Sequence, residues 1–211
     1  MKKVSIIGSG SWGVALVAYL IGSISFSVIF TKKLAGFDVR EKGSKNAGST
    51  NVLRTAGKKV AILTLVCDVL KGVIAVLFAK FIGKVDNFEH TEYLVQLAGL
   101  MVALGHTFPI FFGFKGGKGV ATSLGVIMII NWQIGLICLV FALILMILTR
   151  IVSLGSVAAA ILFPVLTLFI TENYSVPGDY RIFGILLGVF VCFNHRANIK
   201  RLLKGEEKRI F

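Results

Sequence analysis

Apolar residues in this chain run in long blocks, and the polar residues collect in short gaps between them. The blocks fall at about 5–30, 59–82, 93–112, 117–131, 133–149, 155–171 and 181–195. A bilayer core of about 30 Å takes about 20 helical residues to cross, with a range of about 17 to 25. Each block therefore reads as a crossing, two of them short. A single helix over 117–149 would reach about 50 Å at about 1.5 Å per residue. It would also leave Asn131, Trp132 and Gln133 in hydrocarbon, where unpaired polar groups are costly. Two short crossings joined by a tight polar turn fit better. The pattern predicts an all-α integral membrane protein with seven transmembrane helices, organised as one domain over residues 1–211.

The gaps predict its orientation. Lys32, Lys33, Arg40, Lys42, Lys45, Arg54, Lys58 and Lys59 occupy the first, Lys115 and Lys118 a second, and Arg150 a third. Arg196, Lys200, Arg201, Lys204, Lys208 and Arg209 crowd the tail, whereas the alternate gaps hold Asp86, Glu89, Glu92, Glu172 and Asp179. By the positive-inside rule the basic gaps and the carboxyl terminus are cytoplasmic and the amino terminus lies outside. Six crossings would put the basic tail on the wrong side. Trp12, Tyr93, Trp132, Tyr174 and Tyr180 all fall near the outer interface, where amphipathic rings prefer to sit.

Composition supports this reading. The 211 residues are 56% hydrophobic with a mean hydropathy of +0.87, too apolar for a soluble domain. The net charge of +13 would suggest nucleic acid in a soluble protein. Here the cations flank membrane blocks without interleaved aromatics, so no nucleic-acid partner is implied. Cys67, Cys138 and Cys192 lie inside apolar blocks and form neither a disulfide framework nor a zinc motif. Lys2 and Lys3 precede an apolar run that loosely resembles a signal peptide, but the run continues to Phe30 and reads as a retained anchor.

Two gaps carry candidate chemistry. Gly43 to Arg54, GSKNAGSTNVLR, offers short donors at Ser44, Asn46, Thr50 and Asn51, with Gly43 and Gly48 admitting backbone N–H groups to an anion. Arg54 can grip a phosphate with two parallel hydrogen bonds. The second, FKGGKG at Phe114–Gly119, opens a helix, so Gly116, Gly117 and Lys118 make a second anion site. It is no Walker loop, because Phe112 stands at the first glycine and Gly119 at the Ser/Thr, and no nucleotide is implied.

Other polar residues fall at block ends. His106 in GHTFP is balanced between a structural and a functional reading, while His195 in NHRAN suits a base or a phosphate ligand. His90 reads as bland, and three scattered histidines imply no metal. Arg150, Ser153 and Ser156 form another donor-rich end. Asp68 and Lys71, one helical turn apart inside a block, each cost about 2.5–3.5 kcal/mol to insert, and mutual pairing is the favoured account.

Residues 4–13, VSIIGSGSWG, resemble the start of NAD-dependent glycerol-3-phosphate dehydrogenases. The chargeless apolar run that follows lacks the second strand and the acidic residue such a site needs. Close helix packing at Gly8, Gly10 and Gly13 is the better reading.

The segments SISF, GSKNAGSTNVLR, LVCDVLKG, GHTFPIFFGFKGGKGVAT, TRIVSLGS and HRANIKRLLKGEEK occur in order. Together they resemble the bacterial acyl-phosphate:glycerol-3-phosphate acyltransferase (PlsY) family over roughly residues 14–211. The resemblance implies a seven-helix enzyme of the bacterial cytoplasmic membrane, active on the cytoplasmic face. It implies transfer of a fatty acyl group from acyl phosphate to the 1-hydroxyl of glycerol 3-phosphate, giving lysophosphatidate and inorganic phosphate, the first step of phospholipid synthesis. No cofactor is implied. The family's phosphate-handling residues fall on Ser44, Asn46, Thr50, Arg54, Lys118, Ser153, His195 and Asn198. Lys45 departs from the family, which usually has glycine there, and Ser49 stands where alanine is common.

The residue chemistry is compatible with that reaction. Acyl phosphate is an activated mixed anhydride, so alignment and oxyanion donors suffice without a covalent enzyme intermediate. His followed by four residues and Asp is absent, as is a G-x-S-x-G elbow. A transporter of a phosphorylated solute would use similar loops but would place polar sites near the bilayer midplane.

Overall fold

The computed structural model describes residues 9–87, 90–169 and 180–210, and these hold helices and loops without a strand. The elements are α1 (Ser9–Gly22), α2 (Phe26–Ala35), α3 (Ser49–Ala56), α4 (Lys58–Val85), α5 (Thr91–Thr107), α6 (Val120–Ile130), α7 (Trp132–Thr149), α8 (Val152–Phe169), α9 (Tyr180–Asn194) and α10 (Arg196–Leu203). Two 3₁₀ turns, Val39–Glu41 and Ile110–Phe112, sit in the loops.

Five helical stretches are long and apolar enough to cross a membrane: Ser11–Ala35, Lys58–Val85, Thr91–Phe112, Trp132–Thr149 and Val152–Phe169. The α9–α10 pair makes a sixth if its 66° bend is counted as one span. Helix α6, with 11 residues, is about 16 Å long and too short to cross alone. The polar turn expected at residues 131–133 is present. Asn131 separates α6 from α7 and accepts a hydrogen bond from the Ile134 amide at 3.0 Å, capping α7.

Several boundaries shift. The first block runs to Ala35 and is broken at residues 23–25, because the helix continues through Lys32 and Lys33. The fourth block loses Gly117–Gly119 to a non-helical loop, and the sixth starts earlier, at Val152. Helices α3 and α10 are extra: short amphipathic pieces that bury Val52 and Asn198. Close packing does not explain Gly13, since a methyl added there meets nothing within 4 Å. Tyr180 is no interfacial belt residue. It is 1% exposed and stacked among Phe163 and Phe183, unlike Trp12 and Trp132, which stand open. The readings on Lys2, Lys3, Gly8, Glu89, Glu172, Tyr174 and Asp179 lie outside the described residues.

Helix α4 is the spine, packed against α1, α2, α3, α5 and α6. The interior is built from small side chains: Ala18, Ala75, Ala79, Ala98, Val76, Val102 and Val126 are fully buried. Small residues let backbones approach where lipid supplies no hydrophobic contrast. Helices α4 and α6 show the limit, since a methyl on Gly72 would strike the Thr122 carbonyl and one on Gly125 the Val69 carbonyl. Cys138 is buried and Cys67 and Cys192 partly so, all unpaired thiols in the packing.

Candidate phosphate-handling site

Four segments far apart in the chain meet at one end of the bundle. The first loop touches the second directly. The Ala47 amide donates to the Gly116 carbonyl at 3.3 Å, and Asn46 Nδ2 donates to the same oxygen at 3.4 Å. Arg40 clamps the two from the side, with Nη1 donating to the Phe112 carbonyl at 2.6 Å while Nε and Nη2 hold Asp38. That guanidinium keeps the Asp38 carboxyl well below the usual carboxylate range. The tail then returns, as Arg54 Nη2 donates to the Lys208 carbonyl at 3.1 Å and the Ile210 amide to that of Arg150 at 2.9 Å.

Side chains shape the first loop. Asn51, 2% exposed, accepts from the Ser44 amide through Oδ1 and donates through Nδ2 to the carbonyls of Val39, Lys42 and Asn46, each bond within 3.0 Å. Its amide therefore serves the loop backbone. Gly43 and Lys45 both lie at positive φ, +59° and +57°. Glycine at position 45 would adopt this conformation freely, whereas lysine is strained by about 1–2 kcal/mol. The Lys45 side chain remains exposed, so the departure strains the backbone without filling the site. Ser44 is exposed at the loop tip and Thr50 half-buried in the first turn of α3.

Backbone shapes the second loop. The Gly116 amide donates to the Thr107 carbonyl and the Gly117 amide to that of His106, both at 3.1 Å. Neither glycine has room for a methyl: at Gly116 it would meet the His106 carbonyl, at Gly117 the His106 imidazole. This bracing leads into Gly119, whose φ of +89° starts α6.

Lys118 reaches from this loop to the carboxamide oxygen of Asn198. Asn198 Nδ2 donates to Glu207 Oε1 at 2.6 Å, Ser153 Oγ donates to the same oxygen at 2.9 Å, and Arg201 Nε donates to Oε2 at 2.6 Å. Burial raises the Glu207 pKa, but the bonds from Arg201, Asn198 and Ser153 outweigh it and hold the carboxyl below its usual value. Burial lowers Lys118 to about 8; the Glu207 carboxylate opposes that shift, and the charges of Arg201 and Arg54 add to it. His195 is 3% exposed at the α9–α10 bend, and its Nδ1 lies 2.8 Å from the Val191 carbonyl. A carbonyl only accepts, so Nδ1 carries the proton and Nε2 keeps a lone pair.

Arg54, Lys118, Ser153, Asn198, Ser44, Asn46, Thr50, Asn51, Gly116 and Gly117 thus belong to segments joined at one end. Glu207, Arg201 and the Asp38–Arg40 clamp went unnoticed in the sequence, where Arg201 looked like one more topological cation and Glu207 like tail. Ser156 donates to its own helix, to the Val152 carbonyl, and His90 pairs locally with Glu92 at 3.2 Å. Among the described residues, no three of His, Cys, Asp or Glu gather as metal ligands do.

Known proteins resemble this chain in sequence and in fold. The chain is 45% identical over 197 residues to a glycerol-3-phosphate acyltransferase of Clostridioides difficile, covering 93% of this chain and 94% of that one. It is 44% identical to one from Bartonella quintana, covering 95% and 92%. Its fold is similar to the crystal structure of PlsY (YgiH), an integral membrane glycerol 3-phosphate acyltransferase, in the glycerol 3-phosphate form. That likeness has a TM-score of 0.82 and 39% identity, over 95% of this chain and 96% of that one. The lysophosphatidic acid form matches with a TM-score of 0.81. A family model described as glycerol-3-phosphate acyltransferase matches residues 12–205, and with relatives this similar along nearly the whole chain, the protein belongs to that family of integral membrane acyltransferases.

Proposed function

We propose that the chain works as a single transmembrane domain over residues 1–211 that transfers a fatty acyl group from acyl phosphate to the 1-hydroxyl of glycerol 3-phosphate. The products are lysophosphatidate and inorganic phosphate, as in the first step of phospholipid synthesis. The observation that carries this reading is the convergence of two glycine-rich loops with Arg54, Lys118, Ser153 and Asn198 at one end of an apolar bundle. Two phosphate-bearing substrates need two anion sites, and the apolar helices beside them can hold the fatty chain.

In this mechanism the glycerol 1-hydroxyl attacks the acyl carbonyl, the C–O bond to phosphate breaks, and the hydroxyl proton leaves with the phosphate or through His195. Arg54 and Lys118 hold the phosphates. Ser44, Asn46 and Thr50 complete the oxyanion contacts, with Ser153 once its hydroxyl turns from Glu207, while Gly116 and Gly117, whose amides are held by the Thr107 and His106 carbonyls, brace the loop that carries Lys118. Asn51 contributes through the first loop's backbone and Asn198 by aiming Lys118. With Nδ1 fixed on Val191, His195 Nε2 is the atom that can accept or orient the hydroxyl. Preorganised donors of this kind are each worth about 100- to 1000-fold in rate.

The site belongs on the cytoplasmic face of a bacterial cytoplasmic membrane, with seven crossings, the amino terminus outside and the tail inside. The basic first gap, Lys115, Lys118 and Arg150 all flank that end, and α6 with its loop supplies the seventh pass. The test is incubation of the detergent-purified protein with palmitoyl phosphate and labelled glycerol 3-phosphate. Lysophosphatidate and phosphate should appear together, and palmitoyl-CoA should not substitute. Counterflow of glycerol 3-phosphate in proteoliposomes without an acyl product would favour a transporter instead.

A further inference from the structure

Beneath both loops lies a group of buried charges for which the acyl-transfer steps have no use. Lys71 Nζ sits 2.8 Å from Asp68 Oδ1, and His106 Nδ1 sits 3.5 Å from the same oxygen, with the three side chains 2%, 3% and 7% exposed. Mutual neutralisation explains how they are tolerated in an apolar bundle, but not why they are there. Apolar residues of similar volume usually stabilise such a site as well as a buried ion pair does.

Their outward contacts are more specific. Lys71 Nζ donates to the Ile24 carbonyl at 3.1 Å, in the break between α1 and α2. Just past that break, Ser27 Oγ donates to the Ala47 carbonyl at 2.8 Å, inside the first loop. On the other side, the His106 ring lies against Gly117 and the His106 carbonyl accepts the Gly117 amide at 3.1 Å, so the second loop rests on this residue. One carboxylate oxygen thus lies within ion-pair distance of both the lysine that fixes the foundation of the first loop and the imidazole that supports the second.

We infer that Asp68, Lys71 and His106 form a positioning hub that sets the spacing between the two phosphate loops, through Ile24 and α2 on one side and Gly117 on the other. None of the three touches substrate. Their effect is on how well the two loops face each other, and hence on both substrates at once. The kinetic readout rests on the acyl-transfer reading above; a second readout, ligand-induced thermal stabilisation, does not.

The decisive variant is Asp68→Leu with Lys71→Met, an apolar swap that removes the charges and keeps the volume. The hub predicts that it folds and melts near the wild-type temperature without ligand. It should lose about 100-fold in kcat/KM, the scale of a misplacement of about 1 Å, with KM raised for both glycerol 3-phosphate and acyl phosphate. Thermal stabilisation by glycerol 3-phosphate should be lost as well. His106→Gln, which leaves the ion pair in place, should raise KM for glycerol 3-phosphate with ligand-free Tm unchanged. A folded double variant with wild-type KM values overturns the hub. If the double variant does not fold, unchanged KM in His106→Gln overturns it, and failure of both variants to fold makes the network purely structural and overturns it too. Wild-type protein assayed alongside separates the two claims: stabilisation by glycerol 3-phosphate without acyl transfer defeats the reaction but leaves the hub standing on the thermal readout.

Discussion

The two glycine-rich loops are shaped by opposite means. The first is shaped from within, by the Asn51 carboxamide holding four backbone groups and by positive φ at Gly43 and Lys45. The second is shaped from outside, by carbonyls at the end of α5 and by the His106 ring, which leave Gly116 and Gly117 no space for a side chain. Glycine therefore means different things in the two: conformational freedom in the first, close approach in the second. A loop held by one side chain should fail through stability, and a loop held by packing should fail through geometry.

Substitutions can break that contrast. Lys118→Ala removes the cation the second loop presents and should lower kcat/KM by about 1000-fold with Tm nearly unchanged, read by steady-state kinetics and thermal melting. Gly117→Ala places a methyl on the His106 imidazole, and the loop must move; a loss of about 100-fold in kcat/KM is expected, again with little change in Tm. Asn51→Ala should behave differently. It strands buried backbone groups of the first loop, so the expected loss is about 2–3 kcal/mol of stability, seen as a lower Tm alongside a raised KM.

Smaller effects sharpen it. Lys118 is charged below its pKa of about 8 and loses that charge as pH rises through it. The kcat/KM for glycerol 3-phosphate should accordingly fall above about pH 8, and Lys118→Arg should flatten the alkaline limb. Lys45→Gly relieves a left-handed lysine, offset by greater freedom in the unfolded chain, so it should raise stability by no more than about 1 kcal/mol and leave kcat intact.

The contrast also explains what could be read from the sequence. The helical blocks were legible because lipid-facing helices are apolar along their whole length, and the Asn131 turn showed as a polar interruption. Both loops stood out by composition. The block at 117–131 already read as a short crossing, but the loss of its first three residues did not show, since Gly117 and Gly119 carry no polar side chain and pass for membrane residues. The stacked, buried Tyr180 looked from sequence like any interfacial tyrosine. Glu207 was hidden for another reason: its partner Ser153 lies 54 residues away, and only the folded chain shows that the tail closes over the site. Asp68 and Lys71 could be paired by their spacing, yet nothing linear tied them to His106 or to the break at Ile24.

The central claim is that both loops and the tail present their anion contacts to the same side of the membrane. It is tested most directly by sidedness labelling in oriented vesicles, after Cys67, Cys138 and Cys192 are replaced by alanine. Single cysteines at Lys45→Cys, Lys115→Cys and Arg209→Cys should react with an impermeant maleimide from the cytoplasmic side only, and glycerol 3-phosphate should slow the first two. Trp132→Cys should react from the opposite side. Labelling of positions 45 and 115 from opposite sides would contradict the account.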